Sequence, residues 1–336
     1  MGHRFSVGKL DWRLLDRLLR SYRITDRRVV IGPRVGEDAA VIDFGKTYLV
    51  AKTDPITFAT DKIGWYAVNI NANDIATMGA RPKWLLATAL LPERKTNRRL
   101  VEGIFKDLIR SCDELGITLC GGHTEITYGL DRPIVVGQML GEVRKDKLVR
   151  KERARPGDAV ILTKGIAIEG TSIMARERQA HVRRKFGPRF LGRAQRFLVR
   201  PGISVVQEAL LACQVADVHA MHDPTEGGLA TGLFELAKAA CAGIHLEREK
   251  VKVFPECAHL CAEFGLDPLG LIASGALLIV VRPGDAPKVL RVLRSNAIDA
   301  AVIGTLMHAR DGLTMTENGA RRPLPSFPVD EISKLF

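Results

Sequence analysis

The chain has 336 residues, of which 46% are hydrophobic and 26% are charged, so it is long enough for about two domains with ordinary buried cores. No apolar run reaches the roughly 18 residues that a membrane-spanning helix needs. The first residues, MGHRFSVGKLDWRLLDRLL, include acids and lack an apolar signal region. We therefore expect a soluble, cytoplasmic protein with no membrane partner. The formal charge of +12 fits nucleic acid or phosphorylated small molecules as partners and excludes neither.

The first part of the chain predicts an amphipathic helix, then short strands, then a long helix. Leu10 to Ser21 places its leucines on one side of a helix, and the runs VVI, AAVI and YLVA that follow are β-rich and punctuated by glycine. The run WLLATALL is apolar on both faces, as in a covered strand. Arg98 to Leu115 predicts a helix closed by Gly116. The runs ITLCGG and PIVVGQMLGEV predict two more strands.

Between these elements, the stretch from Thr60 to Pro82 predicts an asparagine-rich helix. Thr60 or Asp61 can cap its start, and Gly79 with Pro82 can end it. Asp74 falls on a face that is otherwise apolar, and a buried carboxylate is costly without a partner, which a cation would supply. Asparagine and aspartate are poor helix-interior residues. A kink or a second, N-capped helix in mid-segment is therefore the alternative interpretation. The asparagines are Asn69, Asn71 and Asn73.

The second part of the chain starts after the charged run EVRKDKLVRKER, where Pro156-Gly157-Asp158 turns into a new strand. We place a domain boundary near residue 152, which gives domains of residues 1–152 and 153–336. Two halves with mixed strands and helices predict an α+β fold rather than a doubly wound parallel sheet. The elements predicted here are a strand in AVILT, a helix after Glu169, helices at Ser204 to Ala212, Glu226 to Ala242, Pro255 to Phe264 and Ala286 to Asn296, and strands in GALLIVV and AAVIGTL.

Residues 176–200 carry nine basic side chains and one acid, Glu177. Such a run is typical of a solvated helix face or a flexible connection, and a contact with an anion or nucleic acid is the alternative. The six cysteines are scattered without a CxxC pair, which predicts reduced and mostly buried thiols.

Four acidic motifs of the first domain carry the chemistry. Each acid adjoins an apolar element and a glycine or turn residue, and carboxylates that converge persist when divalent cations neutralise them. Oxygen-only ligands favour Mg²⁺, which completes its shell with phosphate oxygens and water, so a nucleoside triphosphate is the natural ligand. Taken singly, each acid also fits a cap or surface role. The motifs are GEDAAV with Glu37 and Asp38, KTDP with Asp54, NAND with Asp74, and GGHTE with Glu125.

Ordinary nucleotide motifs are absent from the sequence. Gly45-Lys46-Thr47 imitates the end of a P-loop, but Ala40 stands where its first glycine belongs, and no GxGxxG occurs. If ATP binds, it binds by another route.

Two glycine pairs offer close backbone approach to a ligand. Gly121-Gly122 precedes His123, which is either an acid–base group or a structural turn histidine. In HDPTEGGLA, Gly227-Gly228 begins a helix whose free N–H groups suit an anion, while Asp223 or Thr225 closing a capping box is the alternative.

Taken in order, the motifs resemble the ATP-binding superfamily of aminoimidazole ribonucleotide (AIR) synthase. Its members include thiamine-monophosphate kinase, selenophosphate synthetase and the hydrogenase expression/formation protein HypE, and the HypE branch is the most similar. The resemblance covers nearly the whole chain. The motifs that carry it are GEDAAVI, TDPI, NANDIATMGARP, GGHTE, ARPGDAVILTKG, IEGTSI and HDPTEGGLA.

The resemblance implies a PurM-like two-domain fold in which the N-terminal domain forms a barrel across a homodimer and a C-terminal α/β domain packs beside it. It implies that ATP lies in the cleft with its phosphates held through Mg²⁺. The implied metal ligands are Asp38, Asp54, Asp74 and Glu125, supported by Asn71 and Asn73. The implied nucleotide contacts are Gly121, Gly122 and Thr124, with Asp223, Gly227 and Gly228 facing the cleft from the second domain.

The chain departs from the HypE pattern in two places. It ends Ile332-Ser333-Lys334-Leu335-Phe336 without the terminal cysteine of HypE proteins, and Ser274 stands near where HypE places a catalytic glutamate. We expect phosphoryl transfer from ATP to an amide-type or other acceptor, small or protein-borne, with Glu125 or His123 as the base. A non-catalytic ATP-binding regulatory homodimer and a thiamine-monophosphate kinase-like enzyme are the alternatives. We do not expect nucleic-acid binding.

Overall fold

The computed structural model describes residues 10–57 and 61–336. The described part of the first half forms a six-stranded sheet with three helices. Its elements are α1 (Trp12–Arg20), β1 (Val29–Ile31), β2 (Ala40–Asp43), β3 (Thr47–Ile56), α2 (Ile63–Thr77), β4 (Arg81–Pro92), α3 (Arg98–Leu115), β5 (Thr118–Thr127) and β6 (Ile134–Arg144).

The strand order is β1-β2-β3-β6-β4-β5, and β4 with β5 is the parallel pair in an otherwise antiparallel sheet. Helix α2 is buried along its whole length against one face of this sheet. Gly137 on β6 lets the helix approach, because a Cβ there would lie 2.4 Å from Asn71 Nδ2. The opposite face carries half-exposed apolar side chains such as Leu86 and Leu140. The described chain therefore covers β4 on one face only, and cover on its second face stays a prediction.

Helix α2 is shorter than the predicted segment. Thr60 lies outside the described residues. Asp61 does not cap the helix, because the N-cap residue is Lys62, which has left-handed backbone and no side-chain capping hydrogen bond. The helix is continuous through Asp74, so the alternative of a second, N-capped helix is wrong. It ends before Gly79, whose φ of +73° reverses the chain, and Pro82 already belongs to β4.

Strand β5 extends further than predicted and holds the GGHTE motif in extended backbone. His123 is therefore a strand residue rather than a turn residue. The strand forms an edge of the sheet, and most of its side chains are exposed. Gly122 is required by contact with β4, since a Cβ there would lie 1.9 Å from the Ala87 carbonyl oxygen.

The second half forms a seven-stranded sheet in the order β13-β12-β9-β11-β7-β10-β8, flanked by helices on both sides. Short strands β8, β9, β12 and β13 were not predicted from the sequence. The elements are β7 (Ala159–Thr163), α4 (Ile168–Glu177), α5 (Gln179–Phe186), α6 (Pro188–Gln195), α7 (Val206–Val215), β8 (Val218–His222), α8 (Gly228–Ala239), β9 (Gly243–Glu247), α9 (Pro255–Phe264), β10 (Leu278–Val281), α10 (Ala286–Ser295), β11 (Ala300–Met307), β12 (Leu313–Glu317) and β13 (Ala320–Pro323).

The two halves meet where α2 packs against the segment before α7. Asn73 on α2 donates from Nδ2 to the Ile203 carbonyl (2.8 Å) and accepts from the Val205 N–H (2.8 Å). One apolar core runs across this junction and includes residues of both sheets. The mixed, mainly antiparallel sheets confirm the predicted α+β class. The boundary near residue 152 stays a prediction, and it lies between β6 and β7.

The basic segment is helical, and the interpretation as a flexible connection is wrong. Helices α5 and α6 bury Val182, Leu191 and Ala194 in a small core. Arg193 and Lys185 pair with acids of α9. An anion or nucleic-acid contact by this segment stays untested. No helix among the described residues is long and apolar enough to cross a membrane.

Candidate functional site

Three carboxylates from three separate segments converge at the junction of the two halves. Asp38 lies in the loop before β2, Asp74 lies in the last turn of α2, and Asp223 directly follows β8. All three side chains are at least nine-tenths buried. Burial raises the pKa of Asp223, and the charges of Asp74 and Asp38 raise it further. The three carboxylates are therefore close enough to interact electrostatically.

Asp38 is the best-partnered acid of this cluster. Its Oδ2 accepts from Lys151 Nζ (2.8 Å) and from the Thr77 hydroxyl (3.1 Å), and its Oδ1 lies 3.2 Å from His222 Nδ1. Burial acts to raise the pKa of Asp38, but the charges of Lys151 and His222 outweigh it and hold that pKa well below its ordinary value. Asp38 is therefore an anion at neutral pH. Its neighbour Glu37 pairs with Arg34 instead.

Asp74 has weaker compensation. Lys52 on β3 brings its Nζ to 3.1 Å from Asp74 Oδ2. Burial is the main reason that the pKa of Asp74 rises to about 7, and the charges of Asp38 and Asp54 add to it against the attraction of Lys52. Asp54 stands two residues after Lys52 on β3, so both point to the face of the sheet that α2 covers. One lysine thus serves two carboxylates.

Asp223 has no compensating donor at one of its oxygens. Its side chain is buried, with the residue 2% exposed, and Oδ2 has no hydrogen-bond partner in the described part of the chain. An unpaired buried carboxylate oxygen costs free energy unless a cation or a proton meets it. Burial and the neighbouring acids accordingly raise the pKa of Asp223 well above its ordinary value.

His222 was missed in the sequence, although it directly precedes Asp223. Its Nδ1 faces Asp38, and its Nε2 lies 3.0 Å from Glu235 Oε2 on α8. Burial would lower the pKa of His222, but Asp38 outweighs it and raises that pKa to about 9. Lys52 and Lys151 were missed as well, because Lys52 is far in sequence from Asp74 and Lys151 is far from Asp38.

This donor set fits a divalent cation. Ligand atoms of Asp38, His222 and Asp223 all lie within 4.8 Å of one another. Asp74 and Asp54 add carboxylates beside them. A dication would supply the charge that Asp223 Oδ2 and Asp74 lack.

The asparagines of α2 have structural partners. Asn71 donates from Nδ2 to the Ala67 carbonyl (2.9 Å) and reaches the Asp54 carbonyl (3.3 Å), while its Oδ1 is buried without a partner. Both the Nδ2 and the Oδ1 of Asn73 hydrogen-bond to the backbone of residues 203–205 in the second half. Asn71 therefore tethers β3 beside the acid cluster, and Asn73 holds the second half against it.

The GGHTE motif does not join the acid cluster within one chain. The register runs from Asp54 through Gly137 and Ala87 to Gly122, which are three strand spacings, or about 14 Å. Gly122 and Thr124 share the face that α2 covers, whereas His123 and Glu125 point to the opposite face. There His123 Nε2 lies 3.1 Å from Glu125 Oε2.

That exposed pair has a different electrostatic state from the buried acids. The hydrogen bond from His123, and then that from the Thr127 hydroxyl, lowers the pKa of Glu125. Glu125 is thus an ordinary anion with its partner beside it. Gly121 lies on the same exposed strand, and a Cβ added to it would contact no other atom of the described residues.

The start of α8 already holds an anion from the protein itself. Gly227 is the N-cap, and neither Asp223 nor Thr225 caps the helix, so the capping-box alternative is wrong. The Gly227 N–H donates to Asp330 Oδ2 (2.6 Å), and the Ile272 and Ile332 N–H groups donate to Asp330 Oδ1. Gly228 fits because a Cβ there would lie 2.5 Å from the Leu269 carbonyl oxygen. The C-terminal segment therefore fills the position that was predicted to hold a ligand anion.

Comparison with known proteins assigns the fold to a class. The family model "AIR synthase related protein, N-terminal domain" matches residues 36–143, and the corresponding C-terminal domain model matches residues 155–315. A solved structure of the hydrogenase maturation protein HypE in complex with ATP is 26% identical, with a TM-score of 0.73 over 95% of this chain and 93% of that chain. The architecture is thus a two-domain PurM-like α+β fold.

Two curated relatives are similar along most of their length. A putative hydrogenase expression/formation protein of Methanocaldococcus jannaschii is 29% identical over 327 residues, which cover 94% of this chain and 93% of the relative. The carbamoyl dehydratase HypE of Rhizobium leguminosarum is 28% identical over 280 residues, which cover 81% of this chain and 77% of the relative. The chain belongs to the AIR synthase related family, as the sequence motifs predicted.

Proposed function

We propose that the chain is an ATP- and Mg²⁺-dependent enzyme that transfers the γ-phosphoryl group of ATP to an amide-type oxygen, carried by a small molecule or a protein. The observation that carries the proposal is the cluster of Asp38, Asp74 and Asp223, which is buried, drawn from both halves and short of positive charge. A relative that is 26% identical has been solved with ATP. A carbamoyl dehydratase among the relatives supports an amide-type acceptor.

The residues of the chain would act mainly by positioning and charge. Mg²⁺ held by Asp38, Asp54 and Asp74 would neutralise oxygens of the β- and γ-phosphates. Lys52 and Lys151 already lie against two of these acids. Both ammonium groups then stand where they limit repulsion between the carboxylates and an incoming triphosphate. Burial excludes water, which favours transfer to the acceptor over hydrolysis.

The chemical step is a displacement at phosphorus. The amide oxygen attacks the γ-phosphorus, the bond to the bridging oxygen of the β-phosphate breaks, and ADP leaves with the electron pair. The acceptor nitrogen then loses a proton, which leaves an O-phosphorylated imidate. That His123 or Glu125 takes this proton stays a prediction from the sequence, because the sheet register puts this hydrogen-bonded pair on the face away from the acid cluster.

We propose a homodimer in which the open faces of two N-terminal sheets meet. That face carries apolar side chains that are only half-buried, and the outer edge of β5 pairs with no strand of the described residues. Unpaired edges and apolar sheet faces are the surfaces that proteins usually cover. In such a dimer the His123–Glu125 pair would lie between the sheets.

Release of ADP tests the proposed reaction. The protein is incubated with ATP, Mg²⁺ and a peptide bearing S-carbamoylcysteine, with simple primary amides in parallel. We expect ADP formation that depends on the acceptor and is lost in Asp54→Asn but kept in the matched surface variant Asp146→Asn. ATP binding without ADP formation from any acceptor would contradict the enzyme and favour the regulatory homodimer.

A further inference from the structure

Helix α6 and the turns that follow it present a row of arginines to solvent. The spacing of four, three and four residues puts them on one side of the helical winding, and Leu191 and Ala194 are buried on the other side. The Arg200 N–H donates to the Arg196 carbonyl (2.8 Å), which continues the winding past the end of α6. The residues of the row, all exposed, are Arg189, Arg193, Arg196 and Arg200.

The arginine row lacks the acids that other exposed helices of the chain place beside their arginines. In α1 and α3, arginines pair with acids one helical turn away, as Arg98 does with Glu102. In the row, the neighbour one turn away is another arginine, and like charges at this spacing destabilise a helix. Arg193 pairs through Nε with Glu256 of α9 (2.7 Å). The other three side chains form no hydrogen bond or ion pair within residues 10–57 and 61–336, so a bound anion would relieve the repulsion.

The size and shape of the row suit an anion with several charges. Successive positions rise by about 4.5 to 6 Å along the winding, and the whole row spans about 16 Å. A guanidinium group can donate two parallel hydrogen bonds to one phosphate. The formal charge of the chain is +12, and a basic chain with arginines clustered along a helix has the electrostatic pattern of nucleic-acid-binding proteins.

The surroundings of the row favour nucleic acid over an acidic protein, and a single strand over a duplex. Protein interfaces bury an apolar centre, but Val199 is the one large apolar side chain that is exposed within residues 176–200. Phosphate contacts need only positive charge. The other side of α6 is packed in a small core with α4 and α9. Because α6 cannot leave that core to enter a groove, a single strand along its free face is the geometry that fits.

We infer that the arginine row binds the phosphates of single-stranded nucleic acid. The inference goes beyond the proposed enzyme activity and shares no residue with its site. It replaces the expectation from the sequence, where the basic run was weighed without the arrangement of its side chains on one face.

Fluorescence anisotropy of the full chain with a labelled single-stranded oligouridylate, without ATP and at several salt concentrations, tests the row. Three or four phosphate contacts predict that log affinity falls against log salt with a slope between about −2 and −3. Arg189→Ala combined with Arg196→Ala should make this slope shallower by about 1.4 and weaken binding by more than about tenfold at about 0.1 M salt. Arg98→Ala combined with Arg110→Ala is the matched control, because it removes the same charge from an exposed helix where both arginines are paired. It should bind as the wild type does.

Arg189→Lys combined with Arg196→Lys keeps the positive charge and should keep the slope, which separates lost phosphate contacts from altered helix packing. Equal losses in the alanine variant and the control, or a wild-type slope near zero, would overturn the inference. Tighter binding of a duplex of the same length, or equal displacement by polyglutamate of the same charge, would also overturn it, in favour of a duplex or an acidic protein. Displacement by Mg²⁺–ATP would place the oligonucleotide in the proposed nucleotide site and contradict the row as its binding surface.

Discussion

Two groups of acids beside the first sheet have opposite electrostatics. One is the buried cluster of Asp38, Asp74 and Asp223, and the other is the exposed His123–Glu125 pair. The buried acids lie on the α2 side and share too few cations, so the pKa values of Asp74 and Asp223 are raised. Glu125 lies on the other face with its own partner, and its pKa is lowered. The difference indicates that burial between two halves of a chain, rather than an acidic motif alone, creates the need for a metal.

The largest expected effect is on nucleotide affinity. Asp38→Asn should weaken Mg²⁺-dependent ATP binding by about 100-fold, because the variant removes a ligand charge and leaves Lys151 unpaired in a buried position. Glu125→Gln should change this affinity by less than about threefold, since the pair is exposed and on the other face. Fluorescence titration with a labelled ATP analogue measures both. Equal losses in the two variants would show that both motifs hold the nucleotide.

The next effect concerns stability. Lys151→Met should lower the free energy of unfolding by about 3 kcal/mol, because it removes the lysine partner of the buried Asp38 carboxylate. Arg144→Met is the control, since Arg144 forms an exposed pair with Asp146 and should show no measurable change. Urea unfolding at pH 7 compares them. A loss no larger in Lys151→Met than in the control would mean that the buried pair contributes little.

Glu169, a buried acid outside the cluster, provides a separate test of the effect of burial on a carboxyl pKa. Burial raises the pKa of Glu169 to about 7, although the Ser274 hydroxyl opposes the shift. Because the folded-state pKa lies above the unfolded value, the folded protein holds an extra proton between about pH 4.5 and 7. Its free energy of unfolding should therefore fall as pH rises through that range.

Glu169→Gln should remove the part of this fall that Glu169 causes, and it should be more stable than the wild type by about 2 kcal/mol at pH 8, with little difference at pH 4.5. Urea unfolding at several pH values measures it. Parallel pH profiles for wild type and variant would contradict a raised pKa.

The smallest perturbation tests the open face of the first sheet. Leu140→Arg, on the half-exposed face of β6, should convert the proposed homodimer to monomers in sedimentation velocity. Phe44→Arg is the control, because Phe44 is an exposed apolar residue in the loop between β2 and β3. A variant Leu140→Arg that sediments like the wild type would exclude this face as the interface.

Local signals account for what could be predicted from the sequence. Helix α3 and its closing residue Gly116, and helix α9 from Pro255 to Phe264, appear where capping and proline rules place them. Asp74 was found because it interrupts an apolar face. Short strands such as β8 carry too few residues for a period to show.

The contacts between distant segments could not be predicted. Asp38 meets His222 across 184 residues and Lys151 across 113 residues, and no local pattern reports such pairs. The one available signal was the adjacency of His222 to Asp223 in the sequence. Glu125 was grouped with the metal ligands because of its acidic motif and the family resemblance, and the sheet register puts its side chain on the opposite face. Its role as a ligand or base stays a prediction.

Calorimetric titration of ATP into the wild type and Asp74→Asn, each with and without Mg²⁺, tests the central claim most directly. The buried cluster predicts that Mg²⁺ tightens ATP binding to the wild type by at least about tenfold. It also predicts that Asp74→Asn binds ATP with the same weak affinity whether Mg²⁺ is present or not. Equal, Mg²⁺-dependent affinities in the two proteins would contradict a metal–nucleotide site at this junction.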